Sequence, residues 1–490
     1  MDSLVLLCAR RIVAQRPLPA LPPHLYPVLF KAAFLDGRPL VLQDLVATWP
    51  FPELHFKRLV GQPGQWSDNP FGDCIEAFIQ AVVEQLQQEL KEPGHQSSRC
   101  RLRVLDMTGV PDDPYETYFY SSTKAFATAY VELSKHQQQF QKHRPNWHNG
   151  CSGGATAAAA LQPPGMDVLI DLYVGKNSYE ILYNALQTRP AGPLRLKVCE
   201  FHSEYNSASE IVTLLDSLDP SCLRRVELYC NFFGFPELSE ILPHLSRFLE
   251  LRSLKLQDIG MYGRHLRPEP ANATHDVGRQ LGMLSSLREL NLTGTGLSGN
   301  LSQILCDLQD QLESLELAFC SLLPADLTFL SQSFHAPALK RLVLNGHNIS
   351  QGLLEPFRLL LEETSASLLH LDLTDCHIDD SHLDALLPTI LCCSRLRFLG
   401  LHGNSLSTAA IKNLLQKTLE LPDLHLVVYP APKDCYRLEL MASVSCLIED
   451  EELLAVTTAE ISQLLANSGR TNLIWTHNPD SLEVPDYFSL

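Results

Sequence analysis

One pattern of apolar positions, Leu-x-x-Leu-x-Leu, returns seven times in the second half of the chain. The copies start at Leu223, Leu251, Leu287, Leu312, Leu339, Leu368 and Leu396, with Val226 in place of the middle leucine of the first. They recur about every 28 residues, a leucine-rich-repeat period, and one unit is lengthened between Leu251 and Leu287. In residues 312–322, alternation turns Leu315 and Leu317 inward and Glu316 and Ala318 outward. Leu312 and Leu322 fill the core where the chain enters and leaves the strand. A unit this small cannot bury its own leucines, so neighbours must stack and share a core. The stretches after the strands, such as residues 323–330 and 409–415, carry helical apolar spacing. The expected fold is an α/β leucine-rich-repeat horseshoe, with parallel strands on the concave face and helices outside.

Each unit also carries a consensus slot for Asn or Cys, whose side chain bonds backbone that would otherwise be buried without partners. Asn231, Thr295, Cys320, Cys376 and Asn404 occupy it, whereas Ile259 and His347 depart from the pattern, with Asn348 a candidate to compensate for the latter. Weaker strand patterns at residues 168–172 and 194–198 begin the stack. Residues 102–108 read as an N-terminal capping strand, and residues 424–428 as the closing one. The extra length between Leu256 and Leu281, with Gly260, Gly263 and the run Arg267-Pro268-Glu269-Pro270, reads as a loop insertion.

The first third follows other periods. Val5, Leu6, Cys8, Ile12 and Val13 suit one face of a short helix, and prolines at 17, 19, 22 and 23 interrupt it. Helical patterns resume over residues 25–35 and 73–89, the latter with Ile75, Phe78, Ile79, Val82 and Leu86 on one face. Residues 119–164 read as an insertion, helical in its first half. The expected organisation is a helical module over 1–95, a capping strand and insertion over 96–165, repeats over 166–430 and a C-terminal cap over 431–490.

Composition changes the picture in three places. With 490 residues, 45% of them hydrophobic, the chain can bury a large core. A formal net charge of −18 opposes binding to nucleic acid and favours a partner with a basic patch. No apolar run reaches the ~18 residues of a membrane span, and the apolar start is short, with Arg10 and Arg11 behind it rather than before it. The expectation is a cytoplasmic protein whose 14 cysteines stay reduced. No paired C-x-x-C signature is present, and His143, His148 and Cys151 lie in a polar Gln- and Gly-rich stretch, so neither a metal nor a cofactor is expected.

Two motif sets resemble those of a known family. Residues 21–34, Trp49-Pro50-Phe51, residues 102–109 and 315–320, Pro432-Lys433-Asp434-Cys435-Tyr436 and residues 486–490 are similar to the PRAME family of leucine-rich-repeat proteins. The resemblance runs nearly end to end, except over residues 119–164. It implies two kinds of activity. Many members look like substrate receptors of cullin-2 ubiquitin ligases that dock elongin B and C through an N-terminal helix. Ser3, Leu4, Cys8 and Ile12 match that helix slot by slot, and Leu21, Pro22, Leu25 and Leu29 resemble the following cullin-selecting box. Residues 4, 8 and 12 share a helix face, so the pattern suits a groove, and it equally suits a capping helix. One branch of the family implies instead a brake on Toll-like-receptor and NF-kappa-B signalling that binds inhibitor-of-kappa-B kinase beta and disturbs assembly of its complex. Nothing in spacing or composition points to that partner.

No Gly-rich phosphate loop, nucleophile elbow or two-histidine metal helix stands out, so no catalytic residue is expected. The acidic run Asp372, Asp375, Asp379 and Asp380 spans a strand end and a helix start, where an aspartate suits an N-cap. Candidate partner contacts on the concave face are Glu227, Tyr229, Lys255, Gln257, Asn291, Glu316, Asp372 and His402.

Overall fold

A computed structural model describes residues 3–61, 71–91, 100–110, 122–142, 165–187, 194–229, 234–258, 272–349, 352–441, 444–478 and 486–489. Two compact units divide the chain, Met1–Val226 and Glu227–Leu490. The division falls inside the strand Arg225–Tyr229.

The first unit opens with helices α1 (Leu4–Val13), α2 (Tyr26–Leu35) and α3 (Pro39–Ala47), then strand β1 (Glu53–His55), α4 (Phe56–Val60) and α5 (Phe71–Lys91). Pro39 sits in the first turn of α3, where its missing N–H costs nothing. Phe30 of α2 packs edge-to-face on Trp49, Phe56 and Phe78, with ring centroids 5.8–6.0 Å apart. That arrangement suits the aromatic quadrupole and fixes three helices around one cluster. Ile75, Phe78, Ile79, Val82 and Leu86 are all buried, as the spacing along α5 implies. Then follow β2 (Val104–Asp106), α6 (Ser122–Lys142), β3 (Met166–Val174), α7 (Tyr179–Gln187), β4 (Leu194–Glu204) and α8 (Ala208–Ser217). Strands β1 to β4 pair in chain order, all parallel. The expected capping strand is therefore not terminal. β1 lies outside it, tied by His55 Nδ1 to Asp106 Oδ2 at 2.9 Å. Residues 143–164, with His143, His148 and Cys151, lie outside the described residues.

The strand β5 (Arg225–Tyr229) straddles the boundary. Within the second unit the succession is α9 (Phe235–Leu245), β6 (Ser253–Leu256), α10 (Ala273–Leu281), β7 (Glu289–Asn291), α11 (Leu301–Leu305), β8 (Ser314–Glu316) and α12 (Pro324–Gln332). It continues through β9 (Arg341–Val343), α13 (Leu354–Thr364), β10 (His370–Asp372), α14 (Asp380–Cys392), β11 (Phe398–Gly400), α15 (Thr408–Thr418) and β12 (Leu426–Val428). From β6 to β12 each strand pairs in parallel with the next, and the leucines of the repeated phrase align in register: Leu254↔Leu290, Leu290↔Leu315, Leu315↔Leu342, Leu342↔Leu371 and Leu371↔Leu399. All six are fully buried. Each such leucine is worth roughly 1.5–3 kcal/mol of burial, which is why the phrase sets the fold.

Two regions of the second unit differ from the sequence expectation. The lengthened unit is not loop throughout, since its last residues form α10; residues 259–271, with Gly260, Gly263 and the Arg267–Pro270 run, lie outside the described residues. The array does not close at β12. A hairpin, β13 (Tyr436–Met441) with β14 (Val444–Glu449), and helix α16 (Glu451–Asn467) intervene before β15 (Ile474–Thr476) pairs in parallel with β12. Arg470 locks this return by donating to the carbonyls of Leu419, Leu421, Pro422 and Leu424.

The slot residues form a ladder between turns. Cys320 Sγ donates to Leu292 O (2.9 Å), Cys376 Sγ to Leu344 O (3.2 Å) and Asn404 Nδ2 to Leu373 O (2.8 Å). Asn206 does the same to Val174 O at 2.8 Å. His347 bonds Leu344 O of its own turn through Nδ1 (2.8 Å), so this unit is closed locally by the histidine itself. Asn231 and Ile259 lie outside the described residues.

Candidate protein-interaction surfaces

Helix α1 begins at Ser3, whose Oγ accepts from Leu6 N at 3.2 Å. Ser3 therefore acts as an N-cap, holding an amide that has no helical partner. The inward face of α1 is Leu6, Ala9 and Val13, packed toward α2. Val5 and Cys8, which the apolar pattern places with Leu6 and Val13, lie instead on the outer side. A helix reading Leu-Val-Leu-Leu-Cys-Ala-Arg-Arg-Ile-Val is apolar almost all round, so its neighbours decide which face is buried. The outer side carries Leu4 (76% exposed), Val5 (59%), Leu7 (50%) and Cys8, with Ile12 half-buried at its margin. Arg10 Nε to Asp36 (3.0 Å) and Arg16 Nε to Asp44 (2.8 Å) tie the helix and its exit to α2's end and to α3. Of the box-like residues, Pro22 is exposed and Leu21 and Leu25 are half-buried. Leu29 is buried in the core at 1% exposure, so its side chain is not offered to a partner.

The second unit presents the strand side chains that alternate with the buried leucines. Most are already engaged with one another. Gln257 Nε2 donates to Glu227 Oε1 (3.4 Å), and Lys255 lies 3.7 Å from Asp486. Asn291 is buried, not open as expected, because its amide donates to Glu316 Oε2 (2.9 Å) while its oxygen accepts from Thr293 N. Glu316 also takes Arg341 Nε at 3.2 Å. Asp372 accepts from both the N–H and the hydroxyl of Thr374. Tyr229 is exposed and His402 half-buried. Two more aspartates of the acidic run serve structure: Asp379 caps α14 through Ser381 N and His382 N, and Asp380 takes Ser407 N and Lys433 Nζ.

An earlier outward row, one alternation toward the strand starts, escapes the sequence reading. Ser253, Glu289, Ser314, His370 and Phe398 hold it, and all five are buried. Ser253 donates to Glu289, and His370 stacks on Phe398 with centroids 4.1 Å apart and planes 6° from parallel. Among the described residues, neither ring nitrogen of His370 has a hydrogen-bond partner. Burial, and then the charge of Arg341, hold the His370 pKa well below the usual imidazole range. The sequence signal was available: these residues directly precede the middle leucine of each phrase.

Beside this row, residues 486–489 return to the second unit. The Tyr487 hydroxyl donates to Glu313 Oε2 (3.2 Å), which also receives Lys340 Nζ (2.8 Å). Among the described residues, no group of three or more His, Cys, Asp or Glu is placed to hold a metal ion, and no helix is long and apolar enough to cross a membrane.

Residues 3–115 match the PRAME N-terminal domain, and residues 168–478 match the PRAME C-terminal domain. The chain belongs to the PRAME family. Among curated relatives, leucine-rich repeat-containing protein 14 of Xenopus laevis is 40% identical, with 97% of each chain covered. The Homo sapiens protein of that name is also 40% identical, with 100% of each chain covered. A solved leucine-rich-repeat protein, LegL7 from Legionella pneumophila, is 16% identical with a TM-score of 0.36, covering 60% of this chain and 90% of that one. The PRAME family frame and the register of the leucines define a leucine-rich-repeat scaffold suited to protein interaction.

Proposed function

We propose that this PRAME-family chain is a non-catalytic interaction protein that uses α1 to dock elongin B and C and so joins a cullin-2 ubiquitin ligase as a substrate receptor. The observation that supports this most directly is the outer face of α1. Leu4, Leu7 and Cys8 stand in solvent on a capped helix whose opposite face is anchored. Exposed leucines on a short amphipathic helix suit insertion into a partner's apolar groove. The small Cys8 leaves room between Leu4 and Ile12. The likeness of residues 3–12 to the family's docking helix supplies the partner's identity.

A second reading is favoured by the full-length likeness to leucine-rich repeat-containing protein 14. Here the chain restrains Toll-like-receptor and NF-kappa-B signalling in the cytoplasm by binding inhibitor-of-kappa-B kinase beta and disturbing kinase-complex assembly. The two readings are separable. The variant Leu4→Ala/Cys8→Phe changes only exposed side chains, so its thermal unfolding should match wild type while elongin B and C vanish from affinity purifications. Retention of both at wild-type levels refutes the ligase reading. Inhibition of a NF-kappa-B reporter that persists in this variant supports the steric reading.

A further inference from the structure

The cations of this acidic chain are not spread evenly. In the second unit a cleft of about 320 Å³ is lined by Arg252, Lys340, Arg395, Arg397, Glu313 and Leu369, with Tyr487 and Phe488 at its side. Among the described residues the one carboxylate in that lining, Glu313, is already matched by Lys340 at 2.8 Å. Arg252 has Glu250 at 3.5 Å, a residue outside the cleft. Among the described residues, Arg395 and Arg397 are exposed and make no ion pair. Among the described residues, four cations against one carboxylate give a locally positive site on a chain of net charge −18. Concave walls of low dielectric concentrate such a field.

What sits at the cleft's side indicates what it accepts. Residues 486–489 bring a carboxylate, Asp486, within 3.7 Å of Lys255, and a phenol whose hydroxyl donates to Glu313. Phe488 completes the aromatic pair, with ring centroids 5.2 Å apart. In sequence, residues 480–490 contain Asp480, Glu483 and Asp486 and no Lys or Arg. The occupant is thus an acidic, aromatic stretch of chain whose phenol donates to Glu313 and whose Asp486 carboxylate lies by Lys255. Such contacts are individually weak.

We propose that this cleft is a docking site for an acidic, aromatic-containing peptide segment of a partner protein, and that residues 486–489 are a displaceable occupant competing for it. Carboxylates of the partner pair with Arg395 and Arg397, where bidentate geometry is available, and its aromatic ring takes the place of Tyr487 or Phe488 against Leu369. The proposal rests on the interaction-protein reading but not on α1 or on either named partner.

The test uses the full chain and two fluorescein-labelled heptapeptides, Glu-Asp-Glu-Tyr-Phe-Asp-Glu and Lys-Arg-Lys-Tyr-Phe-Lys-Arg, followed by fluorescence anisotropy at 50 and 300 mM salt. The acidic peptide should bind at least tenfold more tightly than the basic one, and less tightly at the higher salt, as screening requires. Arg395→Glu/Arg397→Glu should weaken it at least tenfold, and Arg395→Gln/Arg397→Gln by a smaller factor, with unchanged thermal unfolding in both. Removing residues 486–490 should tighten it several-fold. The proposal is overturned if the acidic peptide shows no preference, if the charge reversal leaves affinity intact, or if the truncation weakens binding. It is also overturned if a single-stranded oligonucleotide binds more tightly than the acidic peptide and displaces it, which would make the cleft a nucleic-acid site. Elongin co-purification remains a separate readout, so failure here leaves the α1 proposal standing.

Discussion

Asn404 shows how much a single side chain can carry in a repeat. Its amide donates to the carbonyls of Leu373 and Leu401, and its oxygen accepts from the N–H groups of Cys376 and Ile378. Asn404→Ala strands these buried groups, and the expected loss is about 1–3 kcal/mol, measurable by chemical denaturation. His370 acts through pH. Burial favours its neutral form in the fold, so its folded pKa lies below the unfolded value of about 6.5. The stability it allows is fully present above that value and is lost as pH falls through and below it. His335 and His347 shift in the same direction and add to the slope. His370→Phe retains a ring on Phe398, so its thermal midpoint should drop less than that of wild type between pH 7.5 and 5.5. An equal drop would remove His370 from the account. The slot residues were readable in advance because a consensus names them. The positions of the His370 row were marked by the phrase, directly before its middle leucine, but their burial was not, because it depends on what the rest of the chain lays beside them.

At the scale of elements, phrase-bearing strands and capped helices were legible, and the short unpatterned ones were not. β1 and β15 are three residues each, Glu-Leu-His and Ile-Trp-Thr, too short for an alternation to register. Their place is fixed by pairing with a neighbour, which only the folded chain supplies. The outer side of α1 was hidden for the opposite reason: apolar residues surround most of the helix, and packing on α2 selects Leu6, Ala9 and Val13. Helix α14 tests the reading of the acidic run. Asp379 holds the amides of Ser381 and His382 at 2.9 Å each, and those bonds hold its carboxyl below the usual aspartate range. Asp379→Ala should cost about 0.5–2 kcal/mol, seen as a lowered midpoint in denaturant, whereas Asp379→Asn should restore most of it. A catalytic role would predict little change in stability from either substitution.

Across the second unit, seven strands from β6 to β12 follow one another in space as they do in sequence. The leucine phrase foretold this order. It did not foretell that much of the strand side chains' bonding capacity is spent internally, as with Asn291 and Glu316, or that an acidic stretch would return beside the basic cleft. Both depend on contacts between residues far apart in the chain, such as Tyr487 with Glu313.

Because every strand of that series leans only on the turn before and the turn after, the assembly has no keystone whose loss brings down all the rest at once. Drawn apart from one end, it would surrender turn by turn, each departing segment leaving behind a raw apolar flank. The closing arrangement of Arg470, α16 and β15 covers one such flank, so the fastening of the final strand governs how easily the unravelling begins.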